Sequence, residues 1–244
     1  TRRMLKEDWS SLEPSLKGKL HVIAGASDTY YLETAAEGLR DCGALAKILP
    51  EVDRLFGVPQ HPKSHPEIDT GVHLSMVLDV AAEKKYALPV RFAALCHDLG
   101  KGVTPPEDLP NHNGHEAKGA ELVTALCKRL RVPNDCKELA YITARWHGDA
   151  HNAKTMQAPT LVSLLQHLDA FRQPQRFEHF LQACAADFYG RPGYAEREFL
   201  GAVRLQVAYR AAAGIDTGAI ARAHQGGEAI KAAVYAARCA AVAQ

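Results

Sequence analysis

Three observations predict an all-α fold. Apolar residues recur at helical spacing in one segment after another. No stretch alternates convincingly at period two. Alanine is abundant, while aromatic residues make up only 7% of the chain. The 244 residues can bury a real core, and 47% hydrophobic with 23% charged residues is ordinary for a soluble globular protein.

In chain order, Leu32, Ala35, Ala36, Leu39, Ala46 and Leu49 form a mixed stripe that predicts a helix over 30–49, stopping near Pro50. The segment 57–66, GVPQHPKSHP, is rich in proline and reads as a loop or linker. Ile68, Val72, Met76 and Val80 mark a second helix ending near Tyr86, and Pro89 suits the start of a third. That third run, Val90–His97, is broken by Gly100 and Gly102, and 103–114 (VTPPEDLPNHNG) is expected to be a long loop serving a site. Further helices are predicted over 116–130, 134–147, 159–172, 175–189, 195–212, 217–224 and 227–241. The expected organisation is an N-terminal helical segment 1–60, a central domain 61–190 and a C-terminal helical extension 191–244.

The formal net charge of +1 gives no global pull toward nucleic acid or a membrane surface. The C-terminal extension carries a mild basic excess, seven Lys/Arg against four Asp/Glu, too small to establish RNA binding. Cys42, Cys96, Cys127, Cys136, Cys184 and Cys239 are scattered without a CxxC pair and read as free thiols in a reducing compartment. No apolar run approaches the roughly 20 residues of a membrane span, and TRRMLKEDWSS lacks a signal-peptide core. The expected location is cytoplasmic, with no membrane partner.

The chemistry concentrates in Cys96-His97-Asp98-Leu99-Gly100-Lys101. Val90, Ala93 and Ala94 precede His97 by seven, four and three residues, so His97 projects from the apolar face of its helix. Asp98 is rotated by about 100° from it, and an ion at the seam could touch both side chains. Lys101 is expected at the rim, beyond the break at Gly100, where a cation meets an anionic substrate. A buried histidine beside a capping aspartate is the plainer alternative. His73 bears on that choice, because Met76, Val77 and Val80 follow it at +3, +4 and +7 and turn it inward. Asp169 continues the stripe Leu161, Leu164, Leu165, Leu168. A carboxylate on such a face needs a partner, which is either Arg172 or a metal ion that would also explain the inward histidines. Two histidines and two aspartates suit Mn, Fe, Co, Ni, Zn or Mg rather than a thiolate zinc site. His115 and His147 are candidates for a second ion or for the substrate phosphate, the alternative being surface or capping histidines. His112 and His151 are weaker reserves.

His73, then HDLGK at 97–101, then His115, His147 and Asp169 occur in an order that resembles the HD superfamily of metal-dependent phosphohydrolases. The resemblance implies an HD-type helical bundle with extra N- and C-terminal helices. It also implies metal ligation by His73, His97, Asp98 and Asp169, with His115 and His147 matching the extra histidines of two-metal members. The strings LRDCGALAKILPEVDRLFGVPQ (39–60), HPEIDTGVH (65–73), RFAALCHDLGKGVTPPEDLP (91–110), LDAFRQPQR (168–176) and AADFYGRPG (185–193) further resemble the HD half of bacterial CCA-adding tRNA nucleotidyltransferases. That half is linked to hydrolysis of 2′,3′-cyclic phosphates, 2′-nucleotides and simple phosphate esters, so a small nucleotide or phosphoester is the expected substrate and tRNA a candidate partner. The nucleotidyltransferase signatures of the family, a GxxxR-type loop and a DxD carboxylate pair, are not found, so nucleotide addition is not expected. Residues 8–38 read as a divergent remnant of the family's neck region. Asp187 and Arg191 match a family motif, but the residues themselves disclose no chemical role and a structural pairing is equally compatible. The rival readings are a catalytically silent module binding tRNA or protein, and a cyclic-dinucleotide phosphodiesterase, against which the missing GYP string argues.

Overall fold

The computed structural model describes residues 38–243. Leu32, Ala35 and Ala36 of the 30–49 stripe and the neck-like stretch up to residue 37 therefore lie outside the described residues. Eleven helices are defined there: α1 Ala44–Ile48, α2 Pro50–Asp53, α3 Thr70–Glu83, α4 Leu88–Cys96, α5 His115–Leu130, α6 Asn134–Asn152, α7 Ala158–His167, α8 Pro174–Tyr189, α9 Leu200–Ala213, α10 Thr217–Ala223 and α11 Gly227–Ala243. Short 3-10 turns cover Leu99–Val103, Pro106–Asp108 and Ala153–Thr155. The fold is all-α, and the one isolated β-bridge among the described residues joins Pro59 to Asp69.

Packing divides the described residues into two units whose boundaries fall within α6 and α8. One comprises 38–147 with 182–197, the other 148–181 with 198–243. The first unit builds its core where Val77 and Ala81 of α3 meet Ala94 of α4 and Ala186 of α8. On α3 the buried set is Thr70, His73, Leu74, Val77 and Ala81, while Ile68 and Val72 of the expected stripe are exposed. The apolar face is thus rotated toward His73. Prolines open α2, α4 and α7, where a missing N–H costs nothing and the fixed φ suits the first turn.

In the second unit α7, α9 and α11 pack on one another. Arg238 lies 3.6 Å over the Phe171 ring, Tyr209 stacks on Phe171 and Phe177, and the Tyr235 hydroxyl donates to the Pro159 carbonyl. Helix α7 ends at His167, earlier than the expected 172. Leu168 caps it, and Asp169 takes a left-handed φ of 54°. The thiols Cys96, Cys127, Cys136 and Cys184 are buried and Cys42 and Cys239 half-buried, all free. No helix among the described residues is long and apolar enough to cross a membrane.

Candidate metal centre

Two close approaches assemble a polar centre inside the first unit. A Cβ on Gly100 would run into the carbonyl of His115 and stand 2.7 Å from the Gly119 nitrogen. Only a hydrogen fits, so the turn after the His-Asp doublet lies flat on the start of α5. At Gly190, just past α8, a Cβ would stand 2.8–2.9 Å from Val77 atoms, main chain included. This tight seat brings the end of α8, with Asp187, against α3.

The imidazoles form a file. Ring centroids are 4.6 Å apart for His65–His73, 5.7 Å for His73–His97, 5.4 Å for His97–His147 and 5.4 Å for His147–His115. Three of the rings are oriented by main-chain carbonyls. His97 Nδ1 donates to Ala94 O at 2.7 Å, His115 Nδ1 to His112 O at 2.7 Å and His147 Nδ1 to Thr143 O at 3.0 Å. A carbonyl can only accept, so in the neutral rings each Nε2 carries an electron pair. Those pairs converge on Asp98: His97 Nε2 is 3.2 Å from Oδ2, while His147 and His115 Nε2 are 3.4 and 3.5 Å from Oδ1. The Nε2 atoms of His115 and His147 are themselves 3.5 Å apart.

Electron-pair donors facing one another in a buried site repel unless a proton or metal cation lies among them. His97 and Asp98 are 1% and 2% exposed, and neither His97 Nε2 nor Asp98 Oδ1 has a hydrogen-bond partner among the described residues. These orphaned atoms, on an N/O donor set, fit a divalent ion. Ligand atoms also group within reach of one ion in the set Asp98, His115, His147, and in the set His73, His97, Asp187. Burial pushes the Asp98 carboxyl up. The Lys101 cation, foremost, outweighs that and holds it well below the usual carboxylate range.

Asp187 is the carboxylate that faces the two inner histidines. Its Oδ1 is 3.0 Å from His73 Nε2 and 3.9 Å from His97 Nε2, and it accepts from Arg191 at 2.9 Å. Asp169, expected as the fourth ligand, belongs to the second unit. Its carboxylate accepts from Arg172 Nε at 2.7 Å and from Arg176 at 3.1 Å, within the second unit. The helical stripe stops at His167, so spacing counted from Leu161 no longer describes where Asp169 points. Of the two partners open to Asp169 from sequence, the arginine is the one observed.

Lys101 also differs from expectation. It is 7% exposed rather than at an open rim, with Nζ 2.8 Å from Asp98 Oδ2 and donating to Gln60 Oε1 at 2.9 Å. An open cavity of about 330 Å³ adjoins it, lined by Gln60, His65, Lys101, His112 and His115 among others. His112 donates or accepts at Thr104 Oγ1, 2.7 Å away, and its Nε2 reaches Pro59 O at 3.1 Å. His151 stacks near Phe199 in the second unit.

The proline-rich segment 57–69, read from sequence as a mere loop, supplies groups the sequence reading missed. Gln60 N donates to Ile68 O at 2.7 Å, Thr70 N to Val58 O at 3.0 Å and Gly57 N to Asp69 Oδ2 at 2.7 Å, closing the base of the loop. Asp69 Oδ1 meanwhile caps α3 by accepting from Gly71 N and Val72 N. Ile68 sits at φ 62°, which is strained for a β-branched residue, with its side chain half exposed. The neighbouring Glu67 side chain is buried at 1% exposure and its Oε1 lies 2.9 Å from His73 Nδ1. The only signal was an acid six residues before an inward histidine.

Residues 70–172 match the HD domain family. That match runs from the first residue of α3 through the doublet, His115, His147 and Asp169, and gives the class to which this part of the chain is similar, the HD domain. It ends short of Asp187. More particularly, the chain is similar to multifunctional CCA proteins. It is 60% identical to that of Nitrosospira multiformis over 184 residues, 75% of this chain and 45% of the relative. With that of Nitrosomonas eutropha it shares 54% over 208 residues, 82% and 50% of the two chains, and with that of Cupriavidus metallidurans 55% over 207 residues, 84% and 50%. The chain spans about half the length of the curated relatives it matches. No solved structure matches it significantly.

Proposed function

We propose that this chain is a divalent-metal-dependent phosphohydrolase for small phosphoesters, of the 2′,3′-cyclic phosphodiesterase, 2′-nucleotidase or phosphatase type. Its likeness to CCA proteins makes tRNA 3′-end processing the proposed context. The observation that carries the reading is the convergence of electron pairs from His97, His115 and His147 on the buried Asp98 carboxylate. His73, His97, Asp98 and Asp187 are the proposed ligands of one ion, Asp187 standing in the place first given to Asp169. His115 and His147 would hold a second ion together with Asp98, or would themselves contact the substrate phosphate. An ion held there would supply Lewis-acid polarisation and would lower the pKa of an attacking water toward neutrality. The protein groups do the rest. Main-chain carbonyls aim the imidazoles, and α4 with its following turn holds the doublet out of bulk water. Lys101 balances Asp98 and presents positive charge at the cavity wall for a phosphoryl oxygen.

The test is turnover of bis(p-nitrophenyl) phosphate and 2′,3′-cAMP with Mg, Mn, Ni or Co, with cyclic dinucleotides and tRNA in the same panel. His97→Ala and Asp98→Ala should each abolish it. Turnover that survives both substitutions rejects the site.

A further inference from the structure

Loop 57–69 does more than connect α2 to α3. Glu67 Oε1 stands at the junction of three side chains: His73 Nδ1 at 2.9 Å, His65 Nδ1 at 2.9 Å and Gln60 Nε2 at 3.2 Å. Gln60, 2% exposed, uses its other end to accept from Lys101, which holds Asp98. A continuous polar path thus runs Asp98–Lys101–Gln60–Glu67–His73–Asp187. It joins the doublet on α4 to the histidine on α3 and the aspartate on α8.

We infer that Glu67 is the positioning residue of the centre: by taking the Nδ1 proton of His73 it turns Nε2 toward Asp187 and His97, and through Gln60 it fixes Lys101 against Asp98. The inference rests on the metal reading above. Its physical basis is general, since a histidine ligand whose far N–H is held by a carboxylate keeps one tautomer and one ring orientation and becomes more basic. His97, His115 and His147 obtain that service from main-chain carbonyls. His73 is the inner ring for which a carboxylate, brought by the loop, does it. The strained φ at Ile68 is the local backbone feature that accompanies Glu67 facing inward while its neighbour faces out.

The experiment uses the full chain, stripped by chelation and titrated with Mn²⁺ alone in a calorimeter. Glu67→Ala should weaken Mn²⁺ affinity by about 10–100-fold. Glu67→Gln, which keeps an acceptor oxygen, should recover most of that loss. In a His73→Ala background Glu67→Ala should cost clearly less than it does in wild type, because the part of its effect that travels through that ring is already lost. Unchanged affinity in Glu67→Ala, or the same extra loss without His73, overturns the inference. A second readout needs no metal. A His73 Nδ1 proton taken by Glu67 should give a downfield resonance that persists in Glu67→Gln and vanishes in Glu67→Ala. If the wild-type chain binds no Mn²⁺, the metal reading fails, and the resonance alone decides: its survival in Glu67→Ala overturns the role given to Glu67. Circular dichroism checks each fold, and Glu67→Asp, which withdraws the carboxylate by one methylene, replaces Glu67→Ala if that variant does not fold.

Discussion

Gly100→Ala isolates the closest approach in the centre. The nearest atoms to the added methyl are main-chain atoms: the His115 carbonyl, its carbon at 2.8 Å and the Gly119 nitrogen at 2.7 Å. Comfortable separations are about 3.5–4.0 Å, so relief requires a shift of roughly 1 Å between the turn and α5, with no flexible side chain to absorb it. Overpacking of this kind costs about 1–3 kcal/mol, and the main-chain neighbours put this case at the upper end. For a chain of this size about 3 kcal/mol lowers Tm by about 6–12 °C. The same shift carries Asp98 away from His115 Nε2, 3.5 Å distant, and a misplacement of about 1 Å lowers turnover by about 10²-fold. Urea unfolding and a phosphodiester assay measure both effects. Gly227→Ala, at the start of α11 with nothing within 4 Å of its Cβ, is the control and should be neutral or slightly stabilising. If Gly100→Ala unfolds within about 0.5 kcal/mol of wild type and keeps its turnover, the close-approach reasoning is wrong.

Asp187→Asn should weaken Mn²⁺ binding strongly in calorimetry, whereas Asp169→Asn, which loosens only the pair with Arg172 and Arg176, should leave it unchanged; the opposite pattern restores Asp169 as the ligand. Burial drives His65 down to about 4, against the opposing hydrogen bond to Glu67. Its folded value lies below the ordinary one, so its contribution to stability is present above about pH 6.5 and is lost as pH falls toward 4. The stability difference between wild type and His65→Gln in urea unfolding should therefore shrink from about pH 7 to about pH 4.5; a constant or growing difference contradicts the linkage. Phe180, with no exposed surface, should cost about 3–5 kcal/mol on truncation to Ala by thermal or urea unfolding, and a loss under 1 kcal/mol would mean its site collapses freely.

Helix placement was legible because apolar spacing and proline starts act locally. The predicted α5, α6, α8, α10 and α11 lie within a few residues of those observed. The inward direction of His73, His97 and His147 was legible for the same reason, since each sits at helical spacing from apolar neighbours, and His115 was placed by the helix start after Gly114. Asp187 was visible only as part of a string, because the ring it faces lies 114 positions earlier and no periodicity links the two. Asp169 lies past the residue where the helix turns off, so a helical count from Leu161 does not fix its direction. Gln60 and Glu67 were hidden because a proline-rich loop has no period to read. Their placement comes from main-chain closure at 57–70, which is a tertiary fact.

The Asp69 carboxylate divides its two oxygens between the first turn of α3 and the base of the loop. One side chain therefore ties the birth of a helix to the closing of a wall, and neither can loosen while the other stays shut. Removing that carboxylate would unsettle both at once.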